Sequence, residues 1–190
     1  MKRTLYKALL FSCILLVVLT SIINPSTGEK LAEIETLITH VNTNTPYARE
    51  IAEALYESAN RYDICRRLLI SVAIQESDFR AKVIGEAGEE GIMQLKPETA
   101  AYITDDDEEY DLLDPKDNID IGARYLKYCI LKVRGYTDTY GAAMELGLTA
   151  YNRGPWRVMS ALEEGRNPRN GYEREVLERR AKIFNGTLFD

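Results

Sequence analysis

The chain has 190 residues, enough for one domain with a core large enough to be stable alone, plus a targeting segment. Its 30 acidic residues outnumber 24 lysines and arginines, a net charge of −6 that argues against a nucleic-acid partner, because phosphate binding draws its affinity from a basic surface. With one histidine, His40, and three cysteines whose spacing fits no zinc knuckle, histidine triads and histidine-rich metal sites are excluded, and any chemistry has to run on carboxylates without a metal or cofactor.

Residues 1–28 read as an export signal. Lys2, Arg3 and Lys7 precede an almost unbroken apolar run, Ala8 to Ile23, which the polar "NPSTGEK" closes. The run is shorter than a spanning helix prefers, and Ser26 and Gly28 are small residues ahead of a cut before Glu29. Retention of residues 8–23 as an inner-membrane anchor is the alternative. In either case the domain is expected outside the cytoplasm, in the periplasm or cell envelope, and membrane contact is expected only through this segment. Cys13 stands in "LFSC", but the apolar run continues beyond it, which excludes lipidation. Removing Lys2, Arg3 and Lys7 leaves 21 cations against 30 acids, about −9.

Residues 29–44 are expected to be a weakly ordered linker, and 45–190 the folded domain. "TPYAREIAEALYESANRYD" predicts an amphipathic helix with Thr45 as cap, Pro46 at the first helical position and an apolar stripe Ile51, Leu55, Ala59. Ile64, Leu68 and Val72, flanked by Leu69 and Ala73, predict a central helix that runs into Gln75 and Glu76. A loop with Gly85, Gly88 and Gly91 follows, and Pro97 and Glu98 start a short helix. The acidic run "DDDEEYD", Asp105 to Asp111, lacks the spaced ligands and central glycine of a calcium loop and reads as solvated. "DPKDNIDIGARYLKYCILKV" places Ile121, Tyr125, Cys129 and Val133 on one stripe. Further helices are predicted from Tyr140 to Tyr151, Trp156 to Glu164 and Tyr172 to Phe184. With no alternating segment and no repeat, the fold class is all-α in a single domain. Cys65 and Cys129 both lie in apolar helical patterns, and either a disulfide or two buried thiols is consistent with export.

Glu76 is the first candidate for chemistry. A carboxyl at the exit of an apolar helix is partly desolvated, which favours its protonated form and lets it donate a proton near neutral pH, as general acid catalysis of glycoside cleavage requires. "GIMQ" then offers the apolar pair Ile92 and Met93 beside the amide of Gln94, and "TAYNRGPWRV" presents Tyr151 and Asn152 where Gly154 and Pro155 break a helix. Core packing of Tyr151 and capping by Asn152 are the plain structural alternatives.

"ESDF", "GEAGEEGIMQLKPETA", "DPKDNIDIGARYL" and "LTAYNRGPWRV" resemble, in order and at similar spacing, the soluble lytic transglycosylase family, whose catalytic domain is lysozyme-like. The resemblance covers roughly Tyr47 to Trp156. It implies a lysozyme-like domain in 45–190 that cuts peptidoglycan glycan strands between N-acetylmuramic acid and N-acetylglucosamine. Glu76 would be the catalytic glutamate, and Ser77, Met93, Gln94, Tyr151 and Asn152 would bind substrate. The family uses one glutamate as acid and then base, closing the muramic acid 6-hydroxyl on C1 to give a 1,6-anhydro sugar without water. Tyr151 would bond to Glu76 or to substrate, and Gln94 would hold an acetamido group. Compact enzymes of this kind commonly belong to envelope-spanning machinery or phage particles, which makes such machinery an expected partner.

The chain departs from that pattern in three ways. Family members often carry a serine and a proline where this chain has "IGEAG", and often a methionine where it has Lys96, which would instead meet a peptide-stem carboxylate. Glu86, Glu89 and Glu90 crowd the loop after Glu76, and one of them facing the cleft would suit a hydrolytic muramidase, in which a second carboxylate orients a water. A noncatalytic peptidoglycan-binding scaffold is the third reading, opposed by the intact Glu76.

Overall fold

In a computed structural model, the structure describes residues 26–185. The proposed export signal lies almost wholly outside them. No described helix is long and apolar enough to cross a membrane.

The first described element overturns the expected linker. Helix α1 (Thr27–Val41) packs against α2 (Ala48–Arg61) and buries Ile34, Leu37 and Ile38. Those residues recur at three and four positions and form one apolar stripe, enough to pay for ordering the segment. Ser26 caps α1 through a reciprocal pair of bonds: its hydroxyl accepts from Glu29 N at 3.3 Å, and its own amide donates to Glu29 Oε2 at 2.6 Å. A cut between Gly28 and Glu29 would fall inside this first turn and separate the two partners.

Helix α2 begins at Ala48 with Tyr47 at the cap position, not at Pro46 with Thr45 as cap. The Thr45 hydroxyl instead accepts from Tyr47 N at 3.3 Å, organising the turn before the helix. Helices α3 (Arg66–Ser77) and α4 (Pro97–Ile103) follow, with the glycine-rich loop between them. Then come α5 (Pro115–Val133), α6 (Tyr140–Arg153), α7 (Pro155–Glu163) and α8 (Tyr172–Asn185). The long α5 starts where Asp114 accepts from Lys116 N and Asp117 N, and Pro115 occupies the first turn. It lies against α2 and α6 and also touches α4 and α7, so its predicted stripe of Ile121, Tyr125, Cys129 and Val133 is buried.

Among the described residues there are no strands beyond two isolated bridges, Ile84 with Glu90 and Glu90 with Leu95. These fold the loop after α3 into two tight turns. In the acidic run, Glu108 pairs with Arg124 at 3.0 Å. The two cysteines among the described residues are free thiols: Cys65 is exposed at the start of α3, and Cys129 is buried in α5, where desolvation pushes its thiol up to about 12.

Candidate active site

Helix α3 is buried along nearly its whole length, from Leu68 through Ile74. Glu76 therefore leaves an apolar environment at the last turn and enters a cleft of about 920 Å³. Removal from water penalises its charged form and raises its carboxyl to about 7, with the negative Glu89 adding to the rise. One contact opposes both effects: the Tyr172 hydroxyl donates to Glu76 Oε1 and favours the ionised form.

Tyr172 opens α8, and α8 is strapped to α3 by side chains on either side of Gln75. The Gln75 amide donates to Glu175 Oε2 at 2.9 Å, and Arg179 Nε donates to Gln75 Oε1 at 2.7 Å. The residue before the catalytic candidate thus fixes the helix that supplies its hydrogen-bond donor. Sequence reasoning missed Tyr172, because it lies outside the four motifs and 96 positions from Glu76. The "NGY" turn just before a helix is the one local cue.

The loop facing Glu76 is held from below by Asn118 of α5. Its amide donates to Glu90 O and to Leu112 O, both at 2.9 Å, and its Oδ1 accepts from Met93 N at 2.7 Å. All of these capacities are used in a fully buried position. Gly91 has φ +72°, and a Cβ there would stand 2.3 Å from Leu112 O and 2.4 Å from Asn118 Nδ2, so no side chain fits. Asn118 too was not singled out from the sequence, although it stands in the third motif.

The structure divides the predicted site residues into two groups. Glu76, Gln94, Tyr151 and Asn152 line the cleft. Ser77 and Met93 do not. The Ser77 hydroxyl is buried and donates to Ile92 O at 2.8 Å, which ties the end of α3 to the loop. Met93 is fully buried with its side chain against Gly122, where a Cβ would approach Met93 Cβ to 2.7 Å. Both are behind the wall of the cleft and support it, a correction to their expected role in contacting substrate.

Tyr151 differs from expectation in its partner. Its hydroxyl donates to Met93 O at 2.7 Å, and its ring lies 5.3 Å from that of Tyr125, so the phenol on Glu76 is that of Tyr172. Gln94 spends its amide hydrogens on the loop, donating to Gly91 O at 2.9 Å and Val83 O at 3.4 Å. Its carbonyl oxygen is left as an acceptor. Asn152 Oδ1 accepts from Asn170 Nδ2 at 2.8 Å, and Asn170 is a further cleft residue.

Of the loop acids, Glu86 and Glu89 line the cleft and Glu90 does not. Lys96 lines it as well, with its ammonium 3.9 Å from Glu89 Oε1. Arg153, Trp156 and Arg157 line it too.

The transglycosylase SLT domain model matches residues 53–171, which is more than half of the chain. The chain belongs to that family. It is 35% identical over 106 residues to the soluble lytic murein transglycosylase of Salmonella typhimurium, covering 53% of this chain and 15% of that protein. It is 31% identical over 134 residues to the membrane-bound lytic murein transglycosylase F 1 of Alkalilimnicola ehrlichii, covering 70% of this chain and 25% of that protein. Among solved structures, the 70-kDa soluble lytic transglycosylase of Escherichia coli superposes with a TM-score of 0.58 at 26% identity, over 82% of this chain and 28% of that one. The fold is thus the lysozyme-like all-α fold of these proteins. The chain spans a quarter or less of the length of the curated relatives it matches. The family match ends one residue before Tyr172.

Proposed function

We propose that the chain is a peptidoglycan lytic transglycosylase that cleaves the β-1,4 bond between N-acetylmuramic acid and N-acetylglucosamine, with Glu76 acting first as acid and then as base. The observation that carries this reading is a carboxyl raised to about 7 inside an open cleft, since such a group holds its proton until a leaving oxygen takes it. Neutral Glu76 gives its proton to the glycosidic oxygen as the C1–O bond breaks. The resulting carboxylate, stabilised by the Tyr172 hydroxyl, takes the proton of the muramic acid 6-hydroxyl as that oxygen bonds to C1. Proton count and charge on the enzyme return to their starting values. An intramolecular hydroxyl has a high effective concentration, so no second carboxylate is needed to prepare a nucleophile. The Gln94 carbonyl is suited to an acetamido N–H, and Tyr151 and Asn152 to the far wall.

Hydrolysis by a second carboxylate is the alternative that one observation favours: Glu86 and Glu89 line the same cleft, and the charge of Glu89 is felt at Glu76. Mass spectrometry of fragments released from purified peptidoglycan separates the two. The expected products are anhydro-muropeptides, lighter by one water than hydrolytic ones, and none from Glu76→Gln. Reducing-end products would transfer the role of second carboxylate to Glu86 or Glu89. Action in the cell envelope, beside envelope-spanning machinery, fits a murein substrate and the apolar segment at residues 8–23.

A further inference from the structure

Trp156 is the one tryptophan of the chain, and it is 61% exposed although it lies in the first turn of a well-packed helix. It lines the same cleft as Glu76. A large indole left in water at a cleft rim needs a reason, since its burial against a partner is worth more than that of any other side chain.

Its setting is organised. The Lys132 ammonium lies 5.2 Å from the indole centroid and 5.1 Å from that of Tyr128, so one cation faces two aromatic rings. Tyr128 shares a 2.8 Å hydrogen bond with Tyr102, whose ring meets it edge to face at 5.7 Å. Tyr102 is itself 59% exposed. The result is a ridge of three aromatic rings from α7 across α5 to α4, which begins at the cleft and continues away from it. Beside Trp156, the exposed Arg157 lines the cleft with no acidic partner among the described residues.

From this arrangement we infer that Trp156 is a sugar-stacking platform, a subsite outside the Glu76 centre that receives an N-acetylhexosamine ring of the glycan strand. The axial C–H groups of a pyranose form an apolar face, which an indole covers while the equatorial hydroxyls stay in water. Lys132 supports the ring and orients it. Arg157 is placed for a carboxylate of muramic acid: that of the lactyl group in a peptide-free strand, or one of the peptide stem where a stem is attached. The inference rests on the glycan-cleaving reading of the cleft and adds a length requirement to it: a strand must extend past the scissile bond to gain the platform's contribution.

The test uses the full chain carrying Glu76→Gln, so that strands bind without being cut, and peptide-free glycan strands purified from peptidoglycan as the probe. Because Trp156 is the single indole, emission excited at the long-wavelength edge of the absorption band, where the 12 tyrosines do not absorb, reports on that residue alone. A saturable blue shift of the emission is expected, together with about a tenfold loss of affinity by calorimetry in Trp156→Ala and near-full retention in Trp156→Phe. Strands that bind with unchanged emission, or bind Trp156→Ala as tightly as the parent, would overturn the platform and leave the cleft's function intact. Failure of any strand to bind would overturn it too, and the anhydro-product assay on the unmodified chain then tells whether the catalytic reading falls with it.

Discussion

In the proposed mechanism, Glu76 couples catalysis to stability through one proton. Its folded value of about 7 stands above the ordinary 4.5, so between those values the folded chain keeps a proton that the unfolded chain releases. Stability is therefore lost as pH rises through that window, by up to about 3 kcal/mol, and no further change from this group follows above it. Glu76→Gln removes the loss: urea unfolding should find the variant more stable than the parent at pH 8 and equal to it at pH 4. Parallel pH dependences for the two would mean that Glu76 is not desolvated. The same titration predicts kcat/KM on peptidoglycan falling above about pH 7, where the acid has lost its proton. Tyr172→Phe deletes the one contact that favours the ionised form, so the falling limb should move to higher pH, with the maximal rate reduced by about tenfold. An unmoved limb would reduce Tyr172 to a packing residue.

Among the helices and turns, the sequence was most informative where periodicity reports burial. The stripes of α3 and α5 placed both helices, and the helix exit at Glu76 was visible because the apolar run stops there. What it could not report is where a buried hydroxyl or amide spends its hydrogen bonds. Ser77, Met93 and Asn118 all stand in recognisable motifs, yet only the folded chain shows that they brace the loop from behind. Helix α1 is not legible in the sequence for a related reason: its stripe is short and its other residues are polar, and it becomes ordered by packing on α2. Asn118→Ala leaves Met93 N, Glu90 O and Leu112 O without their buried partner and should cost about 3 kcal/mol or more in urea unfolding. A cost under about 1 kcal/mol would show that the loop holds itself. Ser26→Ala should cost about 1 kcal/mol through the loss of the α1 cap, in line with an exposed helix terminus.

The molecule as a whole is wider than the segment its family relationship defines. Residues 53–171 carry the match, while α1 and the whole of α8 lie beyond it, and α8 delivers the hydroxyl on Glu76. A chain ended at Gly171 keeps all the matched motifs but should lose most activity on peptidoglycan, even where circular dichroism shows its remaining helices intact; full activity would put the catalytic unit inside the matched segment. The turn from Gly85 to Glu89 shows the opposite kind of dependence. Its bonds run within itself, Gly85 N to Glu89 O at 2.7 Å and Gly88 N to Gly85 O at 3.1 Å; Glu89 is its charged tie to the rest of the cleft, through the ion pair with Lys96 and through the field it exerts on Glu76. Asn118 and Gly91 grip the chain only below it. That division makes the turn an exchangeable cassette: the charge at the mouth of the cleft can drift, or be rewritten by an engineer to favour a different wall chemistry, while the scaffold that holds Glu76 stays untouched.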